Sequence, residues 1–240
     1  MRRWITAVGV VLLVAVAVSS GLWWVTNARG FQLFGDLVDR VDTADKVVAL
    51  TFDDGPAPAG TQPLLDVVAS RRVPATFYLI GSDLRRNPEL GARIAAAGHE
   101  IGNHTYSHRR MVFVSGDVVA SEIERTDELI RRTGYRGDIT FRPPNGKKFY
   151  ALPHYLGAHH RLTVTWDVEP NSDPETDAHA SAIVEWAATR VRPGSIILLH
   201  GMYPSREQTR LAVGPLIDRL HADGYRFVTV SDLLGHRAAG

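Results

Sequence analysis

Two histidines four residues apart, in the run His104-Thr-Tyr-Ser-His108, are the first residues in this chain whose types and spacing suggest chemistry. On one turn of helix both imidazoles would face the same side and could grip a metal. The spacing alone is weak evidence, because most histidine pairs of this kind lie on a surface. A carboxylate would complete a two-histidine, one-carboxylate set with an open position for water. Asp53 and Asp54 offer one, directly after the apolar run Val47–Phe52. Successive strand residues point to opposite faces, so adjacent aspartates could not both serve one pocket within a regular strand. Gly55-Pro56 follows them and allows the backbone to turn. The competing reading of the pair is a solvated loop or a helix N-cap. Other polar residues sit where apolar runs end: Arg142, then Trp166, Asp167 and Glu169, then His200.

The elements that must position these groups alternate between strand and helix from Lys46 onward. The pattern predicts strands over Val47–Phe52, Ala75–Ile80, His99–Gly102, Ile139–Phe141, Leu162–Trp166, Ser195–Leu199 and Arg226–Val230. It predicts helices over Thr61–Ser70, from Asn87-Pro88 to a stop at Gly98, over Asp117–Thr133, and near 150–158, 178–191 and 206–222. About seven short strands separated by helices point to an α/β fold of parallel βαβ units, most simply a distorted (β/α) barrel. An open doubly wound sheet is the alternative. In a parallel barrel the C-terminal strand ends share one face, so residues spread along the chain would converge there.

Residues 1–26 read differently. Arg2 and Arg3 precede an apolar stretch from Trp4 to Val25, about the length needed to cross a ~30 Å hydrocarbon core. Trp23 and Trp24 stand where an interfacial aromatic belt would lie, and the arginines favour an inside N-terminus. A cleaved signal peptide is the rival reading. Both readings place the rest of the chain outside the cytoplasm, with the membrane as a partner in the first. Residues 27–45 read as a linker or entry segment, with Phe31 and Phe34 as docking points.

Composition excludes several classes. The 240 residues carry 27 Lys and Arg against 26 Asp and Glu, a formal net charge of +1. That balance gives no electrostatic case for nucleic acid. There is no cysteine, hence no disulfide, thiolate metal site or cysteine nucleophile. No GxGxxG, P-loop or GxSxG motif is present, and nothing in the sequence points to a protein partner.

Four ordered motifs, Thr51-Phe-Asp-Asp-Gly55, His104-Thr-Tyr-Ser-His108, Arg142-Pro-Pro144 and Ile197-Leu-Leu-His200, resemble those of the polysaccharide deacetylases, carbohydrate esterase family 4 with the NodB homology domain. The resemblance covers about residues 46–235 and implies a distorted barrel with fewer than eight complete units. It implies that Asp54, His104 and His108 hold a divalent metal, zinc first, with cobalt or manganese accepted. It further implies Asp53 as the general base for the attacking water, His200 as the acid for the leaving amine, and Arg142 as the ion-pair partner of Asp53. Leu198 would line a slot for the acetyl methyl, and Trp166 would wall the pocket. Two departures stand out. Asn145 occupies a position usually held by an aromatic residue, where the backbone N–H would stabilise the oxyanion. The acid that supports His200 is displaced, with Asp173 first and Glu169 or Asp167 as rivals.

The expected activity is removal of acetyl groups from N-acetylglucosamine in a cell-wall polysaccharide, peptidoglycan or a chitooligosaccharide-like chain. A catalytically silent glycan-binding protein and an acetylxylan esterase are the alternatives on the same fold. A two-carboxylate glycosidase fits poorly, because it needs carboxyls on opposite sides of the bond, ~5–10 Å apart. Lys147-Lys148 reads either as a contact to an anionic polymer or as a solvated charge pair. The histidines outside the motifs read as surface or packing residues.

Overall fold

The computed structural model describes residues 2–238, with side chains from Gly9 onward. The chain opens with α1 (Arg2–Asn27), 26 residues and so ~39 Å long. Its Gly9–Asn27 part is long and apolar enough to cross a membrane, and Val11 to Leu13 are each more than 60% exposed.

The domain that follows contains β1 (Leu37–Val38), β2 (Val47–Asp53), α2 (Thr61–Ser70), β3 (Thr76–Leu79), α3 (Gly81–Arg86), α4 (Pro88–Ala96), β4 (Glu100–Asn103) and α5 (Gly116–Arg132). The second half adds α6 (Ala151–Ala158), β5 (Thr163–Val164), α7 (Pro174–Asp177), α8 (Ala180–Ala188), β6 (Ile196–Leu199), α9 (Glu207–Ala222), β7 (Arg226–Val228) and α10 (Val230–Leu234).

β2 is the centre of the sheet. β6 pairs along one side of it, from Ala49↔Ile196 to Phe52↔Leu199. On the other side β7 takes the first half, Val47 to Ala49, and β3 the second half, Thr51 to Asp53. β4 pairs with β3. The ring continues through single bridges: Asn103 to Phe141, Phe141 to Thr163, and Val168 back to Ile197 on β6. All of these pairings are parallel, so the sheet curls into a distorted barrel.

Some expected elements differ. Ile139–Phe141 was expected as a strand but pairs only through Phe141. Arg142 then turns into the interior, and Pro143 and Pro144 cannot donate to a ladder. Residues 37–45 are no free linker: β1 pairs in parallel with β5, Arg40 bridges Ser195, and Val38 and Val41 are buried. Both expected docking points find partners, Phe31 against Trp24 at 5.3 Å and Phe34 edge-on to Tyr150 at 5.2 Å. α3 has no counterpart in the expected pattern.

The strands carry alternate residues to two cores. Val48, Leu50 and Phe52 of β2, with Phe77, Leu79, Ile101, Ile197 and Leu199, pack outward against the helices. Val47, Ala49, Tyr78, Val164, Ile196 and Leu198 fill the barrel interior. Parity then dictates the rest. Thr51 and Asp53 share the inward register of Val47 and Ala49, and His200 shares that of Ile196 and Leu198. Gly102 also faces inward, where a Cβ would lie 2.3 Å from the Tyr78 ring.

Candidate active site

The C-terminal ends of the barrel strands gather the chemical groups on one rim. Asp53 ends β2 and is 2% exposed. Its Oδ1 accepts from Arg142 Nη1 at 2.7 Å, and the same nitrogen donates to Thr51 Oγ1 at 2.7 Å. Arg142 is fully buried, donates through Nη2 to the Thr165 carbonyl at 3.0 Å, and lies 4.0 Å from the centre of the Tyr78 ring. The missing Cβ at Gly102 leaves room for that ring, so a glycine helps to hold the arginine in place.

Asp54 leaves the strand with φ +77, followed by Gly55 at φ +58. This left-handed turn rotates Asp54 away from the face it would have taken in a continued strand. Its Oδ1 lies 3.3 Å from His108 Nε2 and 3.9 Å from His104 Nε2. That oxygen is buried and has no hydrogen-bond partner.

The two histidines do not share a helical turn. Residues 104–108 form a loop, with φ +65 at Thr105 and +58 at His108. The loop is fixed from outside. Glu122 on α5 accepts from the backbone N–H groups of Tyr106 (2.9 Å) and Ser107 (2.8 Å) and from the Ser107 hydroxyl (2.8 Å). Asn103 Oδ1 accepts from Thr105 N–H at 2.8 Å. The imidazoles end with centroids 5.0 Å apart. One ligand atom each from Asp54, His104 and His108 lie within 4.8 Å of one another.

These three residues fit a divalent cation. His104 Nδ1 sits 2.8 Å from the Arg142 carbonyl, which can only accept, so Nε2 keeps a free lone pair. Burial pushes the pKa of His104 well below its ordinary value and that of His108 below it, favouring the neutral form that binds metals. Burial and then the neighbouring Asp53 push the Asp54 carboxyl up to about 7. A partnerless buried carboxylate oxygen between two neutral imidazoles is a cavity for positive charge, and a bound cation would reverse that upward shift.

His200 follows β6. Burial pushes its imidazole down to about 4, against the opposing pull of Asp53. None of the acids expected to support it does so. Asp173 caps α7 through the N–H of Thr176 (3.0 Å) and its hydroxyl. Asp167 accepts from Ser195 Oγ at 2.8 Å and Ile196 N–H at 2.9 Å. Glu169 accepts from Trp166 Nε1 at 2.8 Å and pairs with Arg29. His200 Nδ1 is buried without a partner, and its backbone N–H donates to Asn171 Oδ1 at 3.1 Å.

Leu198 and Trp166 lie in the barrel interior beneath the rim, 1% and 4% exposed. Asn145 is exposed at the rim, in a turn with φ +55. The bonds of that turn run from Gly146 N–H to Pro143 O and from Lys147 N–H to Pro144 O, leaving the Asn145 amide out. Its side-chain Oδ1 accepts from Arg110 Nε at 3.3 Å.

Sequence reasoning missed Glu122, Asn103, Asn171 and Tyr78. Glu122 was detectable: it is a charge on the buried stripe of α5, between Val119, Ile123 and Thr126. Asn171 carried no such signal.

The profile of the polysaccharide deacetylase family matches residues 40–159. A peptidoglycan-N-acetylglucosamine deacetylase of Bacillus cereus is 32% identical over 198 residues, covering 82% of this chain and 92% of the relative. A chitooligosaccharide deacetylase of Sinorhizobium fredii is 36% identical over 201 residues, covering 78% and 92%. The crystal structure of a peptidoglycan N-acetylglucosamine deacetylase superposes with a TM-score of 0.78 at 29% identity, covering 84% of this chain and 95% of that one. With half of its length matched by the family profile and 92% of one relative aligned at 32% identity, this chain belongs to the polysaccharide deacetylase family.

Proposed function

We propose that this chain is a metal-dependent N-deacetylase that releases acetate from N-acetylglucosamine units of a cell-wall glycan outside the cytoplasm. In this reading α1 anchors the domain to the membrane. The observation that carries the reading is the partnerless Asp54 Oδ1 between His104 and His108, beside the buried Asp53–Arg142 pair.

Asp54, His104 and His108 would hold the metal, and their two nitrogens and one oxygen suit zinc while admitting cobalt or manganese. A divalent ion bound there supplies Lewis acidity, polarising the carbonyl and bringing the pKa of water towards about 7. Arg142 holds Asp53 Oδ1 and aims the carboxylate, which leaves Oδ2 to take the proton of the attacking water. His200 gives a proton to the amide nitrogen as the C–N bond breaks. Burial keeps its imidazole neutral at rest, so it takes that proton from solvent as negative charge develops on the substrate oxygen, and Asp53 afterwards returns the water proton to solvent. The Asn145 amide supplies the oxyanion donor, and Leu198 with Trp166 makes the apolar floor.

The intact set of base, acid, three ligands and arginine speaks against a silent glycan-binding protein. The test is acetate release from peptidoglycan, chito-oligosaccharide and acetylxylan, with and without added divalent metal. Metal-dependent release from the first two is expected. Release from acetylxylan alone would make the chain an esterase, and binding without release would make it a silent glycan receptor.

A further inference from the structure

The residues that leave α1 do not hang free. Lys147 Nζ donates to Asn27 Oδ1, Lys148 Nζ to the Ala28 carbonyl, and Thr165 Oγ1 to the Arg29 carbonyl at 2.8 Å. Arg29 pairs with Glu169 at 2.9 Å, its guanidinium 5.1 Å from the Trp166 ring centre. Arg142 lies 5.6 Å from that ring, so Trp166 connects this segment to the candidate base. A cavity of about 240 Å³ opens among Asn27, Arg29, Asn145, Lys147, Trp166 and Glu169. It shares Asn145 and Trp166 with the candidate active site.

The chemistry of this cavity is specific. Trp166, only 4% exposed, lies at its base with Arg29 against the ring, and Asn145 stands at its rim. Of the two cations, Arg29 is matched by Glu169, the one acid in the lining. The partner of Lys147 is a neutral amide oxygen, and no salt bridge pairs it with an acid among the described residues. Arg110, outside the lining, donates to Asn145 at 3.3 Å and brings a third cation close to the rim. A neutral glycan needs no such charge, whereas a carboxylate gains charge-assisted hydrogen bonds from it.

We propose that this cavity is a subsite for a carboxylate-bearing sugar adjoining the acetylated one, with Lys147 reading the carboxylate and Arg29 neutralising Glu169 beside it. The subsite rests on the deacetylase reading and narrows its substrate to an acidic glycan, such as one whose alternate units carry a lactyl carboxylate. The segment that leaves the membrane helix thereby builds one wall of the substrate groove.

The test uses the full-length, metal-loaded protein in detergent. Its Kd is measured by calorimetry for a peptidoglycan tetrasaccharide with lactyl carboxylates and for the neutral chito-tetrasaccharide. Wild type should prefer the acidic ligand about tenfold. Lys147→Gln should abolish that ratio, Lys147→Arg should restore it, and Arg29→Gln should reduce it. A structural role in docking the segment would lower Tm without moving the ratio. Methyl esterification of the ligand carboxylates, tested on wild type, should remove the preference with no change to the protein. Equal affinity for both ligands, or a Lys147→Gln variant that weakens both alike, would overturn the proposal. Acetate release is assayed in parallel: selective binding without acetate would defeat the deacetylase reading and leave the subsite standing.

Discussion

The two sides of the candidate active site are built to different standards. On the Asp53 side, a fully buried arginine donates to the carboxylate, to Thr51 and to the Thr165 carbonyl while stacking on Tyr78. On the His200 side, the imidazole has a partnerless Nδ1, and only its backbone N–H is held, by Asn171. Asp53, the proposed base, is therefore fixed before substrate arrives, whereas burial alone confines His200, the proposed acid. A preorganised group needs no rearrangement at the moment of reaction. A loosely held imidazole with a pKa near 4 responds to whatever charge develops beside it.

The largest expected effect comes from breaking the rigid side chemically. Asp53→Asn should retain metal and lose at least about 10²-fold in kcat/KM, as expected for a lost acid–base group. Acetate release with elemental analysis checks this, and loss of the metal instead would exchange the roles of the two aspartates. Breaking the same side physically should show in stability. Arg142→Ala strands Asp53 as an unpaired buried charge, at a cost of ~3–5 kcal/mol by denaturant titration. A cost under ~1 kcal/mol would show that the pair is not held as described.

The metal-ligand cluster offers a pH-dependent test in the metal-free protein. The Asp54 carboxyl is pushed up to about 7 from an ordinary value of 3.8. Between those values the folded state binds more protons than the unfolded, so stability falls as pH rises from about 4 to 7. The cost is absent below about pH 4 and full above 7. Asp54→Asn should therefore stabilise the metal-free protein at pH 8 by on the order of 3 kcal/mol, and by little at pH 4. Chemical denaturation at the two pH values gives the answer, and a pH-independent difference would refute it.

On the loose side the expected effect is smaller. Asp173 caps α7, and no hydrogen bond joins it to the His200 Nδ1. Asp173→Ala should lower Tm slightly and leave kcat/KM within about twofold. A loss of about 100-fold at unchanged Tm would restore Asp173 as the support of the acid.

Most of the barrel was legible because its signals are local. Val47–Phe52, Thr61–Ser70 and Ser195–Leu199 follow apolar runs, turn residues and a proline at a helix start, and the structure reproduces them to within about two residues. Once the register is known, strand parity puts Asp53 and His200 inside. What stayed hidden depended on distant partners. The loop over 104–108 looks helical by spacing, yet Glu122 and Asn103 hold it in left-handed turns. Asp173 stands before Pro174, and an aspartate before a proline is a helix-cap signature that competes with the reading of Asp173 as the support of His200. The strand at 37–38 is too short for any periodicity to reveal, and β5 completes it from more than a hundred residues away.

The finest comparison concerns Asn145, where side chain and backbone make separate demands. If the amide N–H is the donor, activity should follow the conformation of the turn and not the chemistry of the side chain. Asn145 holds φ +55, which glycine adopts freely, asparagine tolerates, and other residues adopt at ~1–2 kcal/mol. Proline cannot reach that angle at all, so Asn145→Pro would collapse the turn and say nothing about its missing N–H. The informative series is Asn145→Gly, Asn145→Ala and Asn145→Val. Gly should cost less than about tenfold in kcat/KM, Ala slightly more, and Val the most, because a β-branched side chain fits φ > 0 poorly. Folding and metal content are measured for each. If all three fall by the same large factor, the Asn145 side chain itself is the contact that matters.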